Sequence, residues 1–377
     1  MTTRWRRRDA LMAAAAASGS WVLGARAGEE AALVQHSSWP QDLSTPLSAL
    51  DQLITPTRAF FVRSHFGPPA LNRERRFTVS GTRGDLSFGL DDLRQFERVT
   101  VTCVLQCFGN GRGSQVPHAA GIQWSHGAVG QATWTGVRLR DVLEKAGVPS
   151  GARWVRLQGA DAPPLPATPP FVRGMPLEKA MDASTLIATH MNGEPLTLNH
   201  GAPFRVAAPS WVGGHWVKWL KSVRAQADEP EGFFFQNSYR VLKAPVATGA
   251  AVKPEELMPA TAFPVKSVIA RPSEGAALRA GEPIAVVGMA FSGVAPVAKV
   301  EVSADGGATF SPASLEGEPG AGRAQLFRAS LSLPAGTHVL LARATDGAGN
   351  VQPKVPDWSP GGWLWNGWHA VRVEVTA

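Results

Sequence analysis

Cysteine is almost missing from this 377-residue chain, which holds two, Cys103 and Cys107. They stand four apart around residues 98–105, whose valines and threonines favour a strand. A strand rising about 3.3 Å per residue sets their Cα atoms roughly 13 Å apart, beyond disulfide reach. Two independent thiols are expected. No C-x-x-C-H haem attachment motif occurs and no flavin-type glycine signature follows a strand, so neither redox group is expected within the chain. No stretch is long and apolar enough to span a membrane. Net positive charge is small beyond the start: of the formal +7, the first 27 residues carry the larger part, five arginines against Asp9, which leaves about +3 for the rest. No nucleic-acid partner is expected.

What is present begins with an export signal over residues 1–27. A basic segment from Arg4 to Arg8 precedes the alanine-rich residues 10–23, and Ala25-Arg26-Ala27 has the small-residue pattern of a cleavage site. The Arg7-Arg8 pair has twin-arginine character, the route of proteins that fold around a cofactor before export, with the general secretory route as the alternative. A periplasmic location follows.

With 44% hydrophobic and 18% charged residues, the chain has enough core for two domains. After an N-terminal extension, 28–47, residues 48–243 alternate apolar strand runs with helical stretches at 138–147 and 177–183. The expected class is α+β, with a mixed α/β domain here. Residues 244–264 read as a linker rich in proline and alanine. Residues 265–377 show short strands at 284–288, 297–302, 325–333 and 371–375, with turns at Asp305-Gly-Gly and Asp346-Gly-Ala-Gly. That is the pattern of an immunoglobulin-like β-sandwich.

The chemistry concentrates at residues 104–113, VLQCFGNGRG. Cys103 reads as a buried core thiol. Cys107 ends the strand where Gly109, Gly111 and Gly113 let the backbone approach a ligand, and a thiolate there suits a soft metal. A packing role fits Cys107 equally well on this segment alone.

This loop resembles the molybdenum-ligating loop of the sulfite oxidase family of molybdopterin enzymes. Further blocks follow in that family's order: FFVRSH at 60–65, GIQW at 121–124, WTGVRLRDVL at 134–143, NHGAPFR at 199–205 and VGGHWVKWL at 212–220. VSADGG at 302–307 and NVQP at 350–353 fit its second domain. The resemblance implies molybdenum bound to molybdopterin, with Cys107 as the one protein ligand. It places Phe61, Arg63, His65, Asp161, His200, Arg205, Trp216, Val217 and Lys218 around the pterin and its phosphate. Tyr239, the only tyrosine of the chain, matches the active-site tyrosine. Arg63 and Arg112 match a cationic pocket over the metal, and Trp124 a pocket tryptophan.

The implied activity is oxidation of sulfite to sulfate, of the bacterial periplasmic type without a haem domain, with electrons leaving to an external c-type cytochrome. Competing readings are a sulfane sulfur dehydrogenase of a sulfur-oxidising complex, a protein sulfoxide reductase, and an exported binding module with a degenerate metal site. Departures from the animal enzymes are visible. Phe108 and Gly111 replace residues usual in the cysteine loop, and an arginine contributed by the animal second domain is missing from residues 358–362. The second domain implies a possible homodimer, with Trp363, Trp365 and Trp368 serving either that interface or the sandwich core.

Overall fold

The computed structural model describes residues 32–377, and the expected export signal lies outside them. Strand Arg98–Gln106 pairs antiparallel along its whole length with Val129–Arg138, which in turn pairs with Leu186–Met191. A second five-stranded sheet has Leu220–Gln226 at its centre, parallel to Phe77–Gly81 and antiparallel to Trp154–Gly159. The helix Leu139–Ala146 buries Leu139, Val142, Leu143 and Ala146, spaced as one face of an amphipathic helix. One core joins these elements through Phe77, Val79, Trp134, Val137, Leu157 and Val223. Gly147 ends the helix at φ +83°, in the left-handed region, where a Cβ would lie 2.3 Å from the Thr82 hydroxyl.

Helices occur where the sequence predicts them, but they are short. Leu177–Met181 has one turn and a half and stops where Asp182 accepts the Ser184 N–H, a local bond that competes with the helix. The region of mixed α/β expectation is therefore mostly strand. Among the described residues no helix is long and apolar enough to cross a membrane.

The C-terminal region is one path of eight strands. The predicted strands appear as Ile284–Phe291, Val297–Ser303, Ala324–Leu331 and His369–Thr376. Ser311–Glu316, polar and mostly exposed, was not signalled by apolar alternation, yet it pairs on both sides and lets the sheet curl. Val286 and Phe327 consequently share a core with Val300, Leu340 and Val373. The expected linker is also partly ordered, because Leu257–Pro259 pairs with Arg240–Leu242.

The two strand-rich regions share buried surface. Val104, Phe108, Val212 and Tyr239 pack in one cluster with Val268, Met289 and Phe291. Gln131 sews the junction: its Oε1 accepts the Ala324 N–H at 2.7 Å, and its Nε2 donates to Leu53 O at 2.9 Å and Ala324 O at 3.3 Å. The Val104 N–H donates to Gly322 O at 2.8 Å. Strand Arg98–Gln106, which delivers Cys107, is thus held from both sides.

Candidate active site

Alternation along strand Arg98–Gln106 sends Cys103 and Leu105 into the first core and Val104 into the shared cluster. Both cysteines are free thiols. Cys103 is buried and burial pushes its thiol up to about 12, an inert core residue. Cys107 lies past the strand end and is half-buried. Its N–H donates to Ala128 O at 2.9 Å and its carbonyl accepts the Asn110 N–H at 3.1 Å, which closes the turn. Gly111 at φ +91° is required here, since a Cβ would meet Trp365 at 2.8 Å and Lys266 Nζ at 2.9 Å. Burial raises the Cys107 thiol, while Arg63, the Gly109 backbone and Arg112 oppose that rise.

A single cleft of about 740 Å³, solvent at its mouth included, gathers most of the residues predicted from sequence. Cys107, Arg63, His65 and Tyr239 line it. So do Phe61, Asp161, His200, Arg205, Trp216, Val217 and Lys218. Arg112 and Trp124 do not line it. Trp124 is buried beside Gly109, against which a Cβ would come within 3.1 Å of its ring. The Arg112 guanidinium is clamped instead: Nε donates to Gly361 O at 3.0 Å, and Cζ lies 4.2 Å from the centre of the Trp363 ring. Trp363 and Trp365 therefore pack on the cysteine loop.

Arg63 and Tyr239 both reach His65, and Arg63 also donates to the Tyr239 hydroxyl. The bridge of Leu43 and Val62 lays residues 60–65 beside the N-terminal hairpin and brings Asp42 to Arg63 at 3.2 Å. Arg63 also donates to the Ser64 carbonyl, and its Nη2 reaches His65 Nδ1 at 3.2 Å. Arginine can only donate, so His65 Nδ1 carries the lone pair. The Tyr239 hydroxyl sits 3.1 Å from the same nitrogen and donates to it. Burial first, then Arg63 and Arg173, hold His65 down at about 4 and keep it neutral. Tyr239 occupies the left-handed region at φ +56°, a conformation that costs a non-glycine residue about 1–3 kcal/mol and marks a position fixed by its surroundings.

Further basic residues, Lys218 and Arg205, line the cleft. Lys218 Nζ donates to Ser64 Oγ and Asn199 O, each at 2.8 Å. Arg205 donates to His200 O and Trp216 O at 3.1 Å, over the faces of Trp134 and Trp216. Arg205 Nε and His200 Nε2 are buried without a protein partner. The one carboxylate on this lining is Asp161, pushed up to about 6 by burial. Asp42, Ser64 and Asn199 also support the site; Ser64 and Asn199 lie inside the motifs at 60–65 and 199–205, whereas Asp42 lies in no motif and acts across the fold.

Residues 65–234 match the family described as "Oxidoreductase molybdopterin binding domain", and residues 258–376 match "Mo-co oxidoreductase dimerisation domain". The chain is 36% identical over 364 residues to human mitochondrial sulfite oxidase, covering 92% of this chain and 66% of that protein. It is 32% identical over 365 residues to sulfite oxidase of Arabidopsis thaliana, covering 89% and 92%. The chain belongs to the sulfite oxidase family. It spans about two thirds of the length of the mitochondrial relative. Among solved structures, the sulfane dehydrogenase SoxCD from Paracoccus pantotrophus is similar, with a TM-score of 0.75 and 27% identity over 92% of this chain and 90% of that one.

The cleft fits the molybdopterin cofactor of this family. Unpartnered nitrogens on Arg205 and His200 and the Lys218 Nζ, whose charged form burial disfavours until an anion pairs with it, offer donors to a phosphate, and basic residues outnumber carboxylates on the wall. Gly213 and Gly214 line the cleft without side chains, and Cys107 supplies the thiol.

Acid should weaken this sulfite oxidase family member through its buried histidines. His369 Nδ1 accepts the Ile269 N–H at 2.9 Å, and burial, then Lys266, lower the imidazole from 6.5 to about 4. A depressed folded value means that the stability is present above pH 6.5 and is lost as pH falls toward 4, because the unfolded chain binds the proton that the folded one refuses. His369 alone accounts for roughly 3 kcal/mol at pH 4. The urea midpoint is expected to fall steadily over that window, and a flat profile would contradict the assignment.

Proposed function

We propose that this protein oxidises sulfite to sulfate at a molybdopterin-bound molybdenum held by Cys107. Sulfite and water become sulfate, protons and an electron pair. The observation that carries the reading is the convergence, in one cleft, of a free thiol at a strand end, the chain Asp42–Arg63–His65–Tyr239, and the further basic residues Lys218 and Arg205. When bound, the molybdenum cofactor supplies the oxygen-transfer and electron-storage chemistry. Arg205, Lys218 and His200 would hold its phosphate side, with Phe61, Asp161, Trp216 and Val217 along the pterin.

The protein's own part is attraction, orientation and proton handling. Arg63 draws a small oxyanion by charge-assisted hydrogen bonding while Asp42 fixes its orientation. The Tyr239 hydroxyl, donating to His65 Nδ1, is placed to exchange a proton with a substrate or product oxygen. Phe108, Phe171 and Tyr239 wall the cleft with rings, which strengthens these polar contacts by excluding water. The resemblance to sulfane dehydrogenase in fold supports a second reading, oxidation of sulfane sulfur. Assays with sulfite and with a protein-bound sulfane donor separate the two.

The acceptor proposed is a c-type cytochrome, since the chain carries no haem or flavin motif of its own. Residues 1–27 are proposed to direct the protein to the periplasm, which cell fractionation tests, and residues 265–377 are read as immunoglobulin-like and capable of forming a homodimer. Docking for electron transfer is weak and partly electrostatic, so sulfite-dependent cytochrome c reduction is expected to slow as ionic strength rises. Rapid oxygen uptake without cytochrome reduction would overturn the assignment of the acceptor.

A further inference from the structure

Arg173 is a cation that neither the motifs nor the proposed chemistry uses. It lies in strand Val172–Pro176 and is fully buried. Nη1 donates to the Phe234 carbonyl, whereas Nε and Nη2 have no partner. No carboxylate pairs with it among the described residues. Aromatic faces surround it: Cζ is 5.2 Å from the ring centre of Tyr239, 5.4 Å from Phe235 and 5.6 Å from Phe108. Taking an unpaired guanidinium out of water is costly, and the rings return only part of that cost.

Its place relative to the cleft gives the charge a use. Tyr239 and Phe108 both line the cleft, and Arg173 does not. The charge therefore stands one aromatic layer behind the wall that faces the substrate. Uncompensated charge in a poorly polarisable interior acts over such distances, and salt in the solvent screens it little. Residues 358–362 approach Arg112 from the C-terminal region with the Gly361 carbonyl and bring no cation.

We propose that Arg173 is a positioning residue for the anionic substrate, a buried positive charge that raises the affinity of the cleft for sulfur oxyanions through the Tyr239 and Phe108 wall. The inference rests on the sulfite-oxidising reading. The aromatic cage directly behind the cleft wall carries the inference. In agreement, Arg173 helps to hold down His65, which lines the cleft. Burial lowers its own value only to about 10, so it stays charged at neutral pH.

The test compares Arg173→Gln and Arg173→Lys as cofactor-loaded proteins, with steady-state sulfite kinetics and, separately, calorimetric binding of sulfate. For Arg173→Gln, the sulfite KM and the sulfate Kd are expected to rise together by roughly tenfold. Its kcat should stay within about twofold of wild type. Arg173→Lys keeps the charge and should stay within about threefold on both affinities. Should Arg173→Gln fail to fold, Arg173→Met carries the same expectation, since methionine fills the aromatic cage without a polar atom. Unchanged affinities in the neutral variant, equal losses in the lysine and neutral variants, or a fall in kcat at constant KM would each overturn the proposal. A wild-type protein that neither turns over sulfite nor binds sulfate would overturn both this inference and the reading beneath it.

Discussion

Cys107→Ser protein is expected to fold with wild-type secondary structure and to lose sulfite turnover by roughly three orders of magnitude or more. The expectation follows from its place past the strand end, half-buried on the lining of the cleft. Serine offers a hard, weakly acidic oxygen where a soft metal takes a thiolate. The metal-to-thiolate absorption of the loaded protein should vanish with the activity. Cys103→Ser is the control: that thiol sits in the core opposite Ala132, and its loss should cost about 1–3 kcal/mol of stability while turnover stays near wild type. Wild-type turnover in Cys107→Ser with inactive Cys103→Ser would assign the metal to the other thiol.

The second large effect is expected for Tyr239→Phe. Removing the hydroxyl leaves the ring between Phe108, at 4.8 Å, and Trp363, at 4.9 Å between centroids, so the left-handed backbone keeps its supports. What disappears is the donor to His65 Nδ1. Positioned proton transfer contributes about 10²–10⁴-fold, and kcat is expected to fall by roughly a hundredfold with thermal stability little changed. Because Tyr239 is the only tyrosine, the variant also loses all tyrosinate absorbance in alkali, which verifies the substitution. A kcat within about twofold of wild type would remove Tyr239 from the proton pathway.

Legibility of this site depends on how far apart its parts lie in the chain. The cysteine loop, residues 60–65 and residues 199–218 each place several cleft-lining side chains within a short segment, so local motifs identify them. Asp42 lies 21 positions before Arg63 in an unremarkable hairpin, and only the pairing of Leu43 with Val62 brings the two together. Arg173 sits in the short segment FVRGMP, where nothing local distinguishes it from a surface arginine. The family resemblance sets Arg112 in a cationic pocket over the metal, and its hydrogen bond to Gly361 depends on a contact spanning some 250 positions. The same contact explains why the tryptophans of residues 363–365 could not be placed between core and interface from sequence. For the fold, strands with strong apolar alternation were readable, whereas Ser311–Glu316 takes its place from neighbours on both sides.

Protein purified from a host that makes molybdopterin allows the most direct test, a joint measurement of molybdenum content and of sulfate formed from sulfite with ferricyanide as acceptor. The account predicts molybdenum equimolar with the chain and sulfate produced in proportion to the electron pairs accepted, both lost in Cys107→Ser. Folded protein that carries no molybdenum, or that carries it and forms no sulfate, would contradict it.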